Sequence, residues 1–113
     1  MNLFAEIKTT IAAVLEGLSA AGDLPGGLDP SNMTVEPPRD AAHGDMATNA
    51  AMVLAKQARM KPRDLAEIIA AALRLDDRFT EVTVAGPGFI NLRLGNSIWL
   101  EILRAALVER THF

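Results

Sequence analysis

Apolar residues recur every three or four positions from Leu3 to Leu18 (Leu3, Phe4, Ile7, Ile11, Val14, Leu15, Leu18), which predicts an amphipathic helix over residues 3–20. Gly22 and the segment 23–30, with Pro25, Gly26 and Gly27, end it. Met33-Thr34-Val35-Glu36 then alternates apolar and polar, and Pro37-Pro38 closes this short strand. A polar loop follows over 39–44. Residues 45–49 fit two readings: a brief second strand with Asn49 capping the next helix, or a loop in which Asp45 is itself the cap. Residues 50–59 are helical under either reading, and their alanines suit close packing.

Met60-Lys61-Pro62 interrupts that helix, and proline at a first helical position starts another, with Leu65, Ile68, Ile69, Ala72 and Leu73 on one face. Residues 80–85 alternate again, with Val82 and Val84 set against Glu81 and Thr83. Gly86-Pro87-Gly88 is a tight turn, and Phe89–Leu94 completes a hairpin. A last helix is expected to carry Ile98, Trp99, Ile102, Leu103, Ala106 and Leu107. Helices at both ends with strands between them predict an α+β two-layer sandwich, a small mixed or antiparallel sheet with helices packed on one face. There is no internal repeat and no low-complexity tract.

At 113 residues the chain is expected to form a single domain, 1–113. Half of it is hydrophobic and 22% is charged, the balance of a folded domain rather than a disordered one. Without cysteine there are no disulfides, no thiolate chemistry and no cysteine-based zinc sites. His43 and His112 are the two imidazoles, too isolated for a metal site, so no metal is expected. Apolar stretches fall far short of the ~20 residues that cross a bilayer, so no membrane partner is expected. Glu6 and Glu16 interrupt the first helix's apolar pattern, which does not read as a signal peptide. A cytoplasmic protein is the expectation.

Charge divides unevenly. Residues 1–50 carry two basic groups against seven acidic ones, and residues 51–113 carry nine against seven. Lys56, Arg59, Lys61 and Arg63 fall within eight residues of one another. A generic nucleic-acid binder is basic throughout its footprint, so any RNA contact here is local and shape-guided, or shared with another domain. The plain alternative for this cluster is a solvated helix end, where cations meet the negative pole of the helix dipole.

The second hairpin strand carries the most suggestive chemistry. Ile90, Leu92 and Leu94 point one way, towards the helices, and Phe89, Asn91 and Arg93 point the other. Successive members of the second set stand about 6.5–7 Å apart, flanked by Thr83 and Ala85. A ring to stack, an amide to meet a base edge and a cation to meet phosphate could receive a nucleotide. Alternatively Phe89 plugs a gap beneath the turn and Asn91 and Arg93 are idle. Catalysis has less support. His43-Gly44-Asp45 suits a turn, with glycine supplying an unusual backbone angle and Asp45 a turn hydrogen bond. Asp76-Asp77 is an adjacent pair whose side chains diverge at a helix end. Gly86-Pro87-Gly88 is no phosphate loop, since neither a following helix nor a Gly-Lys-Ser/Thr accompanies it.

Taken in order, Val35-Glu36-Pro37-Pro38-Arg39-Asp40, His43-Gly44-Asp45-Met46-Ala47-Thr48-Asn49, Lys61-Pro62-Arg63 and Ala85-Gly86-Pro87-Gly88-Phe89-Ile90-Asn91 resemble the N-terminal additional domain of arginyl-tRNA synthetases, over essentially the whole chain. The resemblance implies an α+β domain with a four-stranded sheet, and hence a short strand near Asp45. It implies a domain that reaches the elbow of tRNA-Arg and contacts the D-loop. Some members read a D-loop adenosine with an aromatic side chain and an amide on the strand after the Gly-Pro turn, positions matched here by Phe89 and Asn91. Those members carry an asparagine just before the turn, where this chain has Gly86. The candidate RNA-binding set is therefore Phe89, Asn91, Arg93, Gly86 and Gly88.

The resemblance further implies that ATP and arginine are handled by a catalytic domain with signatures absent from this chain. The fragment itself is expected to need no cofactor and to aminoacylate nothing. The expected partners are tRNA-Arg and that catalytic domain. From a different class, a protein-interaction or assembly module without an RNA role would use the acidic first half and the alanine-rich helices.

Overall fold

A computed structural model describes residues 3–38, 42 and 44–95. In chain order the elements among them are α1 (Leu3–Ala20), β1 (Val35–Glu36), β2 (Met46–Thr48), α2 (Ala50–Ala58), α3 (Pro62–Leu73), β3 (Phe79–Ala85) and β4 (Phe89–Leu94). The helix expected at 98–107 lies outside the described residues, as do His43, His112, Arg39 and Asp40. The strands form one four-stranded sheet in the order β1-β2-β4-β3, every neighbouring pair antiparallel. The helices pack on one face of it, giving the expected α+β sandwich. Among the described residues no helix is long and apolar enough to cross a membrane.

The helical repeat of α1 is realised directly: Ile7, Ile11 and Leu15 are buried, and Leu3, Phe4, Val14 and Leu18 pack around them. The buried face of α3 is turned from the expected one. Leu65, Ile69 and Leu73 are its buried large side chains, with Ala66 and Ala70 beside them, while Ile68 and Ala72 are only partly covered. Alanine carries too little apolar area to mark a face in the pattern, yet its small size permits the closest approach. The alanines of α2 are spent in the same way, since Ala50, Ala51, Ala55 and Ala58 are all buried in this domain. They are not on offer to a partner helix.

Residues 46–48 form a strand, and Asn49 follows it at the N-cap position of α2 without capping the helix. The Asn49 Oδ1 instead accepts the Thr34 N–H at 2.7 Å, and the buried Thr48 Oγ1 accepts the Ala50 N–H at 3.2 Å. Capping has moved back one residue, which frees the asparagine to tie the approach to β1. The other end of α2 closes in Schellman fashion: Met60 N–H reaches Ala55 O at 3.1 Å and Arg59 N–H reaches Lys56 O at 3.2 Å. Arg59 holds φ +55°, the left-handed position where glycine is usual. For a residue with a Cβ that conformation costs about 1 kcal/mol.

Gly44 and Asp45 hold β2 to the end of β4. Gly44 has φ +139°, and a Cβ there would lie 2.7 Å from the Leu92 carbonyl oxygen. Asp45 donates its N–H to that oxygen at 2.8 Å and accepts the Leu94 N–H on Oδ2 at 2.7 Å. This is the turn role expected of the pair. In β3 a bulge between Phe79 and Glu81 changes the parity of the strand. Phe79 and Val82, three apart, are consequently both buried. Arg74 anchors the same strand by donating Nε and Nη2 to Val82 O at 3.1 and 2.9 Å. Arg78 pairs with Asp76 at 2.6 Å and reaches Thr10 Oγ1 of α1 at 3.0 Å. The Arg78 hydrogen bonds hold the Asp76 carboxyl below the usual carboxylate range.

Candidate nucleic-acid interface

Strand register builds the open face of the sheet. Glu36 stands opposite Ala47, Ala47 opposite Asn91 and Asn91 opposite Thr83, so one row crosses all four strands. The next row on β4 pairs Phe89 with Ala85, and the one beyond pairs Arg93 with Glu81. The intervening residues, Ile90, Leu92 and Leu94, are buried on the helix side. Period-two geometry thus delivers Phe89, Asn91 and Arg93 to the side opposite the helices.

They do not lie as a flat row. Phe89 is 41% exposed, whereas Asn91, on a central strand, is 7% exposed. Both line a cleft of about 540 Å³, with Ala47 beside Asn91 and with Pro37, Pro38 and Asn49 among its walls. Ala47 leaves room for the cleft where a larger side chain in the same row would fill it. The amide of Asn91 makes no hydrogen bond to any described residue, and since no buried side-chain nitrogen or oxygen among the described residues lacks a partner, its polar atoms reach solvent at the cleft. A mostly buried amide normally finds a protein partner, because leaving its groups unpaired costs about 1–3 kcal/mol. Here donor and acceptor remain open to the cleft.

Arg93 is drawn elsewhere. Its Nη2 donates to Ala42 O at 3.1 Å, and its Nε lies 3.7 Å from a Glu81 carboxylate oxygen. The guanidinium fastens the loop before β2 and does not line the cleft. The two turn glycines also part. Gly86, at φ +56°, lines the cleft, and a Cβ on it would meet only the Phe89 ring, at 3.8 Å. Gly88, at φ +147°, is buried against α3, where a Cβ would lie 3.0 Å from Pro62 Cβ. Arg63 braces the same turn, its Nη1 donating to Gly86 O at 3.0 Å. Phe89, Asn91 and Gly86 are therefore brought together, and Gly88 and Arg93 serve as supports outside the cleft.

Sequence reasoning missed four contributors. Pro37 and Pro38 end β1 and also wall the cleft; Asn49 lines it while bonded to Thr34; and Ala47 makes the space. The Gly-rich break and the strand-ending prolines were visible signals, but the register that gathers them was not. Glu36 is the charged residue among those lining the cleft, so the cleft repels phosphate and favours a neutral base. Among the described residues no cluster of His, Cys, Asp or Glu could hold a metal ion.

Residues 5–94 match the family described as Arginyl tRNA synthetase N terminal domain. The chain is 61% identical over 109 residues to the arginine–tRNA ligase of Paracoccus denitrificans (strain Pd 1222), covering 96% of this chain and 19% of that protein. It is 63% identical over 107 residues to the arginine–tRNA ligase of Ruegeria sp. (strain TM1040), covering 95% of this chain and 18% of that one. The chain thus spans less than a fifth of these relatives' length. Among solved structures, Thermus thermophilus arginyl-tRNA synthetase superposes with a TM-score of 0.63 at 23% identity, over 88% of this chain and 15% of that one. That last likeness is one of fold.

Proposed function

The chain belongs to the arginyl-tRNA synthetase N-terminal domain family, and on that premise we propose that it recognises the D-loop at the elbow of tRNA-Arg. It thereby positions the tRNA for aminoacylation by the ligase's catalytic domain. The single observation that carries the reading is the unpaired, mostly buried amide of Asn91 beside the exposed ring of Phe89. A nucleobase supplies what both lack: a face for the ring to stack on and an edge with donors and acceptors for the amide. The resemblance to members that read a D-loop adenosine with an aromatic residue and an amide on this strand supports the same pairing.

Binding energy spent here acts at a distance. Fixing the tRNA elbow orients the acceptor end and appears in the rate of the chemical step rather than in arginine or ATP affinity. ATP and arginine belong to the catalytic part of the whole ligase, which would work in the cytoplasm. Gly86 leaves out the side chain that some members carry before the turn, so the ring and the Asn91 amide bear most of the base contact.

Titration of the chain with tRNA-Arg and with an unrelated hairpin RNA at low salt tests the proposal. tRNA-Arg should bind more tightly, and Phe89→Ala should remove most of the difference. Equal or absent binding to both RNAs would overturn the proposal and favour a protein-interaction module. In a full-length ligase carrying Phe89→Ala, use of tRNA should fall while arginine and ATP binding stay unchanged.

A further inference from the structure

Among the described residues, several arginines are committed to contacts within the domain. Arg74 and Arg78 bond within the α3–β3 corner, and Arg93 bonds Ala42 O beside Glu81. Lys56, Arg59 and Lys61 do none of this: among the described residues they have no carboxylate within ion-pair distance and no side-chain hydrogen bond. All three line one open groove at the α2–α3 junction, together with Met52, Val53 and Pro62. The helix dipole accounts for Lys56 and Arg59, which stand at the negative end of α2. It does not account for Lys61, which sits at the positive N-terminus of α3, with Arg63 in the first turn. Arg59 moreover holds a left-handed backbone where glycine would be at ease. Positive charge is thus kept at this junction against local backbone preference.

The groove and the cleft flank the same β3–β4 turn. Pro62 lines the groove and is also the residue against which Gly88 of the β3–β4 turn is packed. Arg63, next along α3, holds the carbonyl of Gly86, which lines the cleft. A single turn therefore separates three unpaired cations from the base-sized site. The cleft carries Glu36 and no cation, so a nucleotide with its base there must run its phosphates elsewhere.

We infer that the Lys56–Arg59–Lys61 groove is the track of the RNA sugar–phosphate backbone leading to the Phe89–Asn91 cleft, an inference that rests on the RNA reading of that cleft. The partner chemistry is a polyanion of closely spaced phosphates, which three cations around an open groove complement and which an acidic protein surface matches less regularly. Arg63 is committed to bracing the turn and is a support of the track.

Salt dependence of tRNA-Arg binding separates this proposal from the one it rests on. Each phosphate contact adds about 0.7–0.9 to the slope of log affinity against log salt. Across a KCl series, Lys56→Gln/Lys61→Gln should lower the slope by about 1.5 and weaken low-salt binding about tenfold. Lys56→Arg/Lys61→Arg, which keeps the charge, should restore both. Arg59→Gly should lower the slope by about 0.8 while raising the melting temperature, because it relieves the left-handed backbone. If the glutamine variant fails to fold, the Arg59→Gly slope decides alone. A wild-type slope in these variants, with Phe89→Ala still weakening binding, would overturn the track and leave the cleft standing; such a result would point to an acidic protein surface at the groove. Loss of tRNA preference in the wild-type chain, with Phe89→Ala harmless, would bring down the cleft reading and with it the track.

Discussion

Strand β4 presents two faces built from alternate residues of one six-residue segment. On the helix side, Ile90 and Leu92 are fully buried and Leu94 nearly so; on the other, Phe89 is 41% exposed beside an amide without a protein partner. The first face maximises removal of apolar area from water, the driving force of the fold. The second leaves a ring in solvent and an amide with no protein partner, neither of which adds to the stability of the fold. Adjacent residues with the same backbone thus answer to different requirements, stability on one side and, under the proposed function, recognition on the other.

Substitutions should separate these requirements. The largest effect is expected from Leu92→Ala, which empties a fully buried site at the middle of the sheet. It should cost about 2–5 kcal/mol in urea unfolding, and protein still folded at low denaturant should bind tRNA-Arg as before. Phe89→Ala should reverse that profile, weakening RNA binding by about 1–3 kcal/mol while moving the urea midpoint little, since much of the ring is already in water. Equal losses of stability in the two variants would erase the distinction between the faces.

Asn91→Leu sharpens the comparison further. It replaces an unpaired amide with a hydrocarbon of similar size, so stability should hold or rise by up to about 1 kcal/mol. RNA affinity should fall at the same time. A variant as destabilised as Leu92→Ala would mean that the amide supports the fold.

The smallest effect is remote from both faces. Arg78 holds the Asp76 carboxyl below its usual range, so the pair's stabilisation is present above the unfolded carboxylate value, about 3.9. It is lost as pH falls from there through the depressed folded value. The wild-type chain should lose slightly more stability than Asp76→Asn on acidification below about pH 4, with RNA binding at neutral pH the same in both.

Much of this was legible from spacing. The three- and four-residue repeat placed α1, proline at a first turn placed α3, and period two assigned Phe89 and Asn91 to the face away from the helices. What escaped depended on partners distant in the chain. Asn49 looked like a helix cap, and only the arrival of Thr34 beside it redirects the side chain. Arg93 belonged to the right face but is captured by Ala42 and Glu81. The cleft exists because register sets small Ala47 beside Asn91. A bulge at Thr80 puts Phe79 and Val82 on one side, which strict alternation denies.

The most direct measurement follows the Asn91 side-chain NH2 resonance of isotopically labelled chain as tRNA-Arg is added. The account predicts that this resonance and the backbone amides of Gly86 and Phe89 shift together and saturably, while those of Ile7, Ile11 and Leu15 in α1 stay in place. A stationary Asn91 side-chain signal under saturating tRNA, with shifts gathered on another surface, would contradict it.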